Sequence, residues 1–280
     1  MNAALCQSDF DLPRSEIWSV IKSGRLEMSL RIEKDGHVIT TVEQWFTYAP
    51  PMKGALQWRD GRSAKELAKI FLETGVPATP PELCALLSSH QYLGTVDLEV
   101  ATPEHKITLD NFKGETRNAD LAAVGTGGIG RIAVTIEAKA DEPFGDTIGE
   151  NRSKGKANPK SNVPRRIAAL AEAMFGHNGP EIDILRYQLL HASAASLIFA
   201  KEQKANAAVF VVLEFHGPSC LSDNLERNKG DFETFLKMLS LGALIPATGI
   251  LNGPFFVQGG GFVPPYLPLF IGKSVRNLDK

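Results

Sequence analysis

Residues 119–124, Ala-Asp-Leu-Ala-Ala-Val, and residues 131–136, Arg-Ile-Ala-Val-Thr-Ile, are two short apolar runs on either side of Gly125-Thr126-Gly127-Gly128-Ile129-Gly130. The second run is rich in β-branched residues, and two such runs around a Gly-rich break predict a β-hairpin, with 119–125 antiparallel to 131–139. With the turn centred near Gly127 and Gly128, cross-strand partners have numbers that add to roughly 255–257. Asp120 then faces a position between Thr135 and Glu137. Strand side chains alternate, so Glu137 and Lys139 share a face and Ala138 points to the other. Charged residues converge at one end of an otherwise apolar hairpin.

The other elements follow from periodicity and punctuation. A short helix over 13–22 and extended segments over 27–33 and 37–46 are expected, ended by the Pro50-Pro51 loop. Leu67, Ile70 and Phe71 follow Ser63 at helical spacing, with Ser63 as N-cap and Glu66 completing a capping box, which predicts a helix over 63–74. Pro80-Pro81 opens another over 81–88. A strand is expected over 105–110, helices over 164–175, 184–203 and 231–241, and a strand buried on both faces over 207–215. The segment 146–162 mixes Arg152, Lys154, Lys156 and Lys160 with Gly, Asn, Ser and Pro, and is expected to be a mobile loop. The order helix, strand, hairpin, helix, strand is that of an α/β protein with a mixed sheet flanked by helices. It divides the chain into an N-terminal extension (1–60), a core (61–216) and a C-terminal helix with a loop-rich tail packed on the core (217–280).

Composition narrows the chemistry. The chain has 280 residues and a net charge of −2, so nucleic-acid binding would need a local basic surface. Its three cysteines are Cys6, Cys84 and Cys220, too dispersed for a zinc or disulfide framework. Acidic Asp9 and Asp11 stand where a secretory signal needs an apolar core, and the apolar stretch 249–272 is cut by prolines and glycines. No membrane segment and a cytoplasmic location are expected.

Gly125-x-Gly127-x-x-Gly130 matches the dinucleotide-binding fingerprint in its letters, but that motif needs a helix after its last glycine. A strand is expected there, so the run is read as a turn. Glu137-Ala138-Lys139 at the end of an apolar strand, with Asp120 opposite, is either a structural ion pair at a sheet edge or a metal-dependent phosphodiesterase site.

The set Asp120, Glu137-x-Lys139 and the element order across 60–216 resemble the PD-(D/E)XK, or restriction-endonuclease-like, nuclease superfamily. Arg117-Asn118-Ala119 precedes the Asp where a Pro is usual. Longer phrases resemble a bacterial domain family of unknown function: Asp60-Gly61-Arg62-Ser63-Ala64-Lys65-Glu66, Arg117-Asn118-Ala119-Asp120-Leu121, Glu137 through Gly145, and Arg186-Tyr187-Gln188-Leu189-Leu190-His191. The superfamily resemblance implies a restriction-endonuclease-like core and Mg²⁺ or Mn²⁺ held by Asp120, Glu137 and the Ala138 carbonyl. Lys139 would orient water or offset charge on phosphorus. Glu66 on the first core helix would complete the metal site, unless the capping box explains it. Gln188 would point into the site, or else pack in the core with a hydrogen-bond partner. The implied partner is nucleic acid, with DNA the expected form. Lys154, Lys156, Lys160, Arg165, Arg166 and Arg186 are candidate phosphate contacts, with solvated loop charge as the alternative.

Overall fold

The structure, a computed structural model, describes residues 30–112, 117–158, 160–218 and 221–278. The expected helix over 13–22 lies outside them. The hairpin is present: β4 (Arg117–Gly127) runs antiparallel to β5 (Gly130–Lys139), closed at Gly127 and Gly130 around Gly128-Ile129. Pairs such as Leu121 with Ile136 sum to 257, within the expected range. Gly130 takes a φ of +94°, open to glycine at little cost. At Gly125 a Cβ would stand 2.2 Å from the Asp97 carbonyl oxygen, beside a register shift in the neighbouring strand. A strand follows Gly130, so the run is a turn and not a phosphate-binding loop.

That neighbour is β3 (Asp97–Ile107), antiparallel to β4 and much longer towards its start than the expected 105–110. β1 (Arg31–Lys34) and β2 (His37–Val38) extend one edge. On the other side β6 (Ala207–His216) runs parallel to β5, then β8 (Leu269–Asn277) parallel to β6, and β7 (Leu251–Phe255) antiparallel to β8. The result is one mixed eight-stranded sheet, β2-β1-β3-β4-β5-β6-β8-β7. It takes β1 and β2 from the 1–60 stretch and β7 and β8 from the 217–280 stretch, which holds strands as well as loops.

Helices cover both faces. One apolar layer packs α1 (Val42–Tyr48), α2 (Ser63–Phe71) and α3 (Pro81–Leu87) on the sheet through Trp45, Leu67, Phe71 and Leu86. The opposite layer holds α5 (Val163–Phe175), α6 (Tyr187–Glu202) and α7 (Ser222–Leu239) through Ile167, Leu189, Leu197 and Phe235. No helix among the described residues is long and apolar enough to cross a membrane.

Three local expectations are corrected. The 37–46 stretch, read as extended, is a strand only at His37–Val38 and turns into α1 at Val42, because Thr41 and Gln44 form a reciprocal capping box at 3.2 Å each way. The 146–162 stretch, read as a mobile loop, holds α4 (Ile148–Lys156), started by a second capping box between Thr147 and Glu150. Ser63 is not an N-cap: Arg62 occupies that position, and the Ser63 hydroxyl donates to Glu142 at 3.2 Å.

Candidate functional site

The site forms where β4 peels from β5. The ladder's last pair is Leu121 with Ile136; beyond it, the Ala138 N–H donates 2.7 Å to the Asp120 carboxylate in place of a strand carbonyl. Alternation breaks here as well. Ala119 and Ala122 both pack in the α6-side layer, with Leu121 between them on the other side. Glu104, adjacent on β3, has a φ of +45°, unusual for a residue with a side chain. This irregularity brings Arg117, two residues past the regular alternation, onto Glu137.

Glu137 is the hub. It is 3% exposed. It accepts hydrogen bonds from Arg117 and, at 2.5 Å, from the Gln188 amide, and it pairs with Lys139 at 3.0 Å. Lys139 is 7% exposed, with its ammonium 5.6 Å from the Phe144 ring centre. Burial alone would push the Glu137 carboxyl upward, but the Arg117 and Lys139 charges outweigh it and hold its pKa at about 2.

Asp120 behaves oppositely. The protein crowds its carboxylate, and burial followed by the charges of Glu137 and Glu104 pushes its pKa well above the usual carboxylate range. Burial likewise lifts Glu104 to about 7, although Asn118 donates to it at 3.4 Å. Three acidic residues on adjacent strands thus feel each other; Arg117 and Lys139 outweigh burial at Glu137, but at Asp120 and Glu104 the nearby cations do not. Among the described residues, no three His, Cys, Asp or Glu side chains stand together in a ready metal-binding group.

Beside the hub lies a cavity of about 370 Å³, lined in part by Arg117, Asn118, Phe144, Asn151, Tyr187, Gln188 and His191. His191 stacks edge-on against Tyr187 at 4.8 Å, and burial, followed by the nearby Arg117 charge, pushes its pKa well below the usual imidazole value. It is therefore neutral at physiological pH.

The structure brings Asp120, Glu137, Ala138, Lys139 and Gln188 together. Gln188 does not bond to backbone but braces Glu137. Glu66 stands apart: its carboxylate accepts from the Gly61 N–H at 2.7 Å and from Lys69 at 2.9 Å, in a cleft shared with Val42 and Arg276. Its bond reaches Gly61, the residue before the N-cap, so the capping box expected of it is not formed.

The basic candidates are mostly engaged within the fold. Arg166 forks onto Asp110 at 2.5 and 3.2 Å, and Arg186 bridges Asp231 and the Gly145 carbonyl at 2.8 and 2.7 Å. Lys154 pairs with Asp146 at 2.5 Å, and Arg165 lies over the Phe112 ring at 4.5 Å. Lys156 and Lys160 are exposed on the surface. Residues missed from the sequence are Arg117, Glu104, Asn118, Asn151 and Tyr187. Arg117 was visible only as the first letter of its phrase, because regular alternation places it on the face opposite Asp120.

The family described as Domain of unknown function (DUF6946) matches residues 38–273. The chain belongs to that family. No curated protein and no solved structure matches it.

Proposed function

We propose that this DUF6946 protein is a metal-dependent nuclease with a restriction-endonuclease-like core, hydrolysing phosphodiester bonds of a nucleic acid. The element order supports this reading: α2, then the β3-β4-β5 meander, then α6 and the parallel strand β6. The observation that carries it is Asp120 set against Glu137-Ala138-Lys139 on adjacent strands, with Lys139 buried at Glu137 and Asp120 crowded by burial and by the charges of Glu137 and Glu104 beyond what Arg117 and Lys139 offset.

The residues fit a hard divalent cation in donor chemistry. Asp120, Glu137 and the Ala138 carbonyl are oxygen donors, and Mg²⁺ or Mn²⁺ takes one or two carboxylates with water and phosphate oxygens completing its shell. Such an ion supplies polarisation of the phosphoryl oxygen and a lowered pKa for bound water. The chain's own part is to hold that arrangement rigid. Gln188 and Arg117 fix the Glu137 carboxylate, the Ala138 N–H fixes Asp120, and Lys139 stands where negative charge develops on the phosphoryl group.

One observation favours a second reading, a non-catalytic member of the same fold that binds nucleic acid or protein. Arg117, Gln188 and Lys139 already satisfy Glu137, as in a purely structural ion cluster. Cleavage assays on DNA and RNA panels with Mg²⁺ or Mn²⁺ separate the two. The nuclease reading expects cleavage lost in Asp120→Asn and Glu137→Gln and reduced on the order of 10²–10³-fold in Lys139→Ala, each on folded protein. Intact substrates together with no metal binding by calorimetry favour the second reading.

A further inference from the structure

The geometry points to the cavity beside Glu137 as a receptor for one nucleotide unit, a heteroaromatic ring carrying a phosphate, taken from a single strand or a strand end and not from an intact duplex. This rests on the nuclease reading of the same site and names its substrate class.

Size comes first. At about 370 Å³ the cavity suits one small organic group, at the lower end of ligand pockets. A base in a stacked, paired duplex cannot enter a pocket of any kind without leaving the stack. The walls come from the parts of the chain that close the cleft. Asn151 is on α4, Val163 and Arg166 are on α5, and both helices lie between the hairpin and α6. Without that insertion the Glu137 end of the sheet would be an open ledge.

The lining chemistry comes second. Tyr187 offers an aromatic ring of the kind on which unpaired bases stack, while Phe144 is fully buried with the Lys139 ammonium over its ring. The amides of Asn118 and Asn151 each carry a donor and an acceptor, the pairing that a base edge presents. His191 is neutral and its Nδ1 is buried without a partner, as is Arg117 Nε. Both side chains line the cavity, so each retains hydrogen-bonding capacity that the protein itself leaves unused.

Position comes third. Arg117 and Gln188 are at once walls of the cavity and partners of Glu137. A ring seated against Tyr187 therefore carries its phosphate towards Glu137 and Lys139, where hydrolysis is proposed.

The test is binding by the full chain in EDTA, where no cleavage intervenes. The probes are linear and circular single strands, a duplex with an overhang and a duplex closed by hairpins at both ends, in DNA and RNA, with a mononucleotide as competitor. Linear single strand and overhang are expected to bind at least roughly 10-fold tighter than closed duplex, with the mononucleotide competing. A circular strand that binds like the linear one identifies strand interiors as the source; a circular strand that binds weakly identifies ends. Asn151→Leu and His191→Phe should each weaken single-strand binding roughly 10-fold, with the chain still folded by circular dichroism and Mn²⁺ binding unchanged. Closed duplex binding as well as single strand, no binding of any probe, or variants with unaltered binding would overturn the proposal. Single-strand binding without cleavage under any metal keeps the pocket and removes the nuclease reading; cleavage of closed duplex without single-strand preference does the reverse.

Discussion

Two buried carboxylates on the same face of the sheet, Glu137 on β5 and Glu214 on β6, sit in contrasting surroundings. Glu214 is 1% exposed and pairs with Lys273 and His216, each at 2.8 Å, while Asn228 donates to it at 3.3 Å. Asn228 also donates to the Glu142 carbonyl at 3.0 Å, which ties α7 to the loop after β5. None of these residues lines the cavity beside Glu137. Glu137 has equally good partners, yet it adjoins two further acids, Asp120 and Glu104, whose charges have no comparable answer. Full compensation suits a cluster that holds the fold, whereas the excess of acids beside Glu137 is what the proposed cation would answer.

The largest expected effect lies on the structural side of that contrast. Lys273→Met leaves Glu214 buried without its main counter-charge and should cost about 3–5 kcal/mol in urea unfolding. The double variant Glu214→Gln with Lys273→Met should recover most of it, because the lone charge is gone. Asp120→Asn should behave in the opposite way, leaving stability unchanged or raised, since it removes a carboxylate whose ionised form is disfavoured. If Asp120→Asn unfolds the protein while Lys273→Met is harmless, the contrast is inverted.

A smaller, pH-resolved effect sharpens the same point. Glu104 has its folded pKa lifted from an ordinary 4.5 to about 7, so its stabilising contribution is complete below 4.5 and is lost as pH rises through about 7. Asp120 works in the same direction. Glu137, held at about 2, contributes above 4.5 and loses that contribution as pH falls towards 2. His191, held neutral, acts against Glu104 and Asp120 up to about pH 6.5, so the check is differential. Between roughly pH 4.5 and 7 metal-free Glu104→Gln should lose less thermal stability than the parent chain. Mn²⁺ should restore stability most at the alkaline end, where the acids are ionised, by about 2.7 kcal/mol at 100-fold excess over Kd. A Glu104→Gln melting profile that parallels the parent's across this window, with both indifferent to Mn²⁺, would put Glu137 and Glu214 in the same structural class.

How much of this could be read from the chain depended on range. The β4-β5 register followed from a Gly-rich turn and two apolar runs, all local, so Asp120 could be set against the stretch between Thr135 and Glu137 by arithmetic. The β6 strand was legible because burial on both faces leaves a near-continuous apolar run, Ala207 to Phe215, broken only by Glu214. Arg117 was not, because its approach to Glu137 depends on the break in alternation beside Glu104, which no periodicity shows. The Glu214 cluster was equally hidden: Glu214, Asn228 and Lys273 come from β6, α7 and β8, and only the sheet order brings them together. β8 itself was obscured by the prolines and glycines before it. The capping boxes of α1 and α4 were readable, but β-branched and aromatic composition around Thr41 and basic, Gly-containing composition after Thr147 outweighed them.

The smallest predicted effect concerns α4, which buries only Ile148 and Gly155 along its length and so leans on its cap more than its neighbours do. A Cβ at Gly155 would meet Pro164 at 2.3 Å, so the helix is also pressed closely onto the start of α5. The Thr147 hydroxyl accepts from the Glu150 N–H at 3.2 Å, and the Glu150 carboxylate accepts from the Thr147 N–H at 2.7 Å. Asn151 adds a bond to the Thr147 carbonyl at 2.9 Å and presents its residue to the cavity wall. Thr147→Ala should therefore cost about 0.5–2 kcal/mol, with Thr147→Ser near neutral. Because that loss falls on the wall of the cavity and not on the Glu214 cluster, amide exchange should quicken in 148–156 while β6 and β8 keep their protection. Exchange that quickens equally in all three would show that the two regions unfold as one unit, and that the cavity wall has no independent freedom.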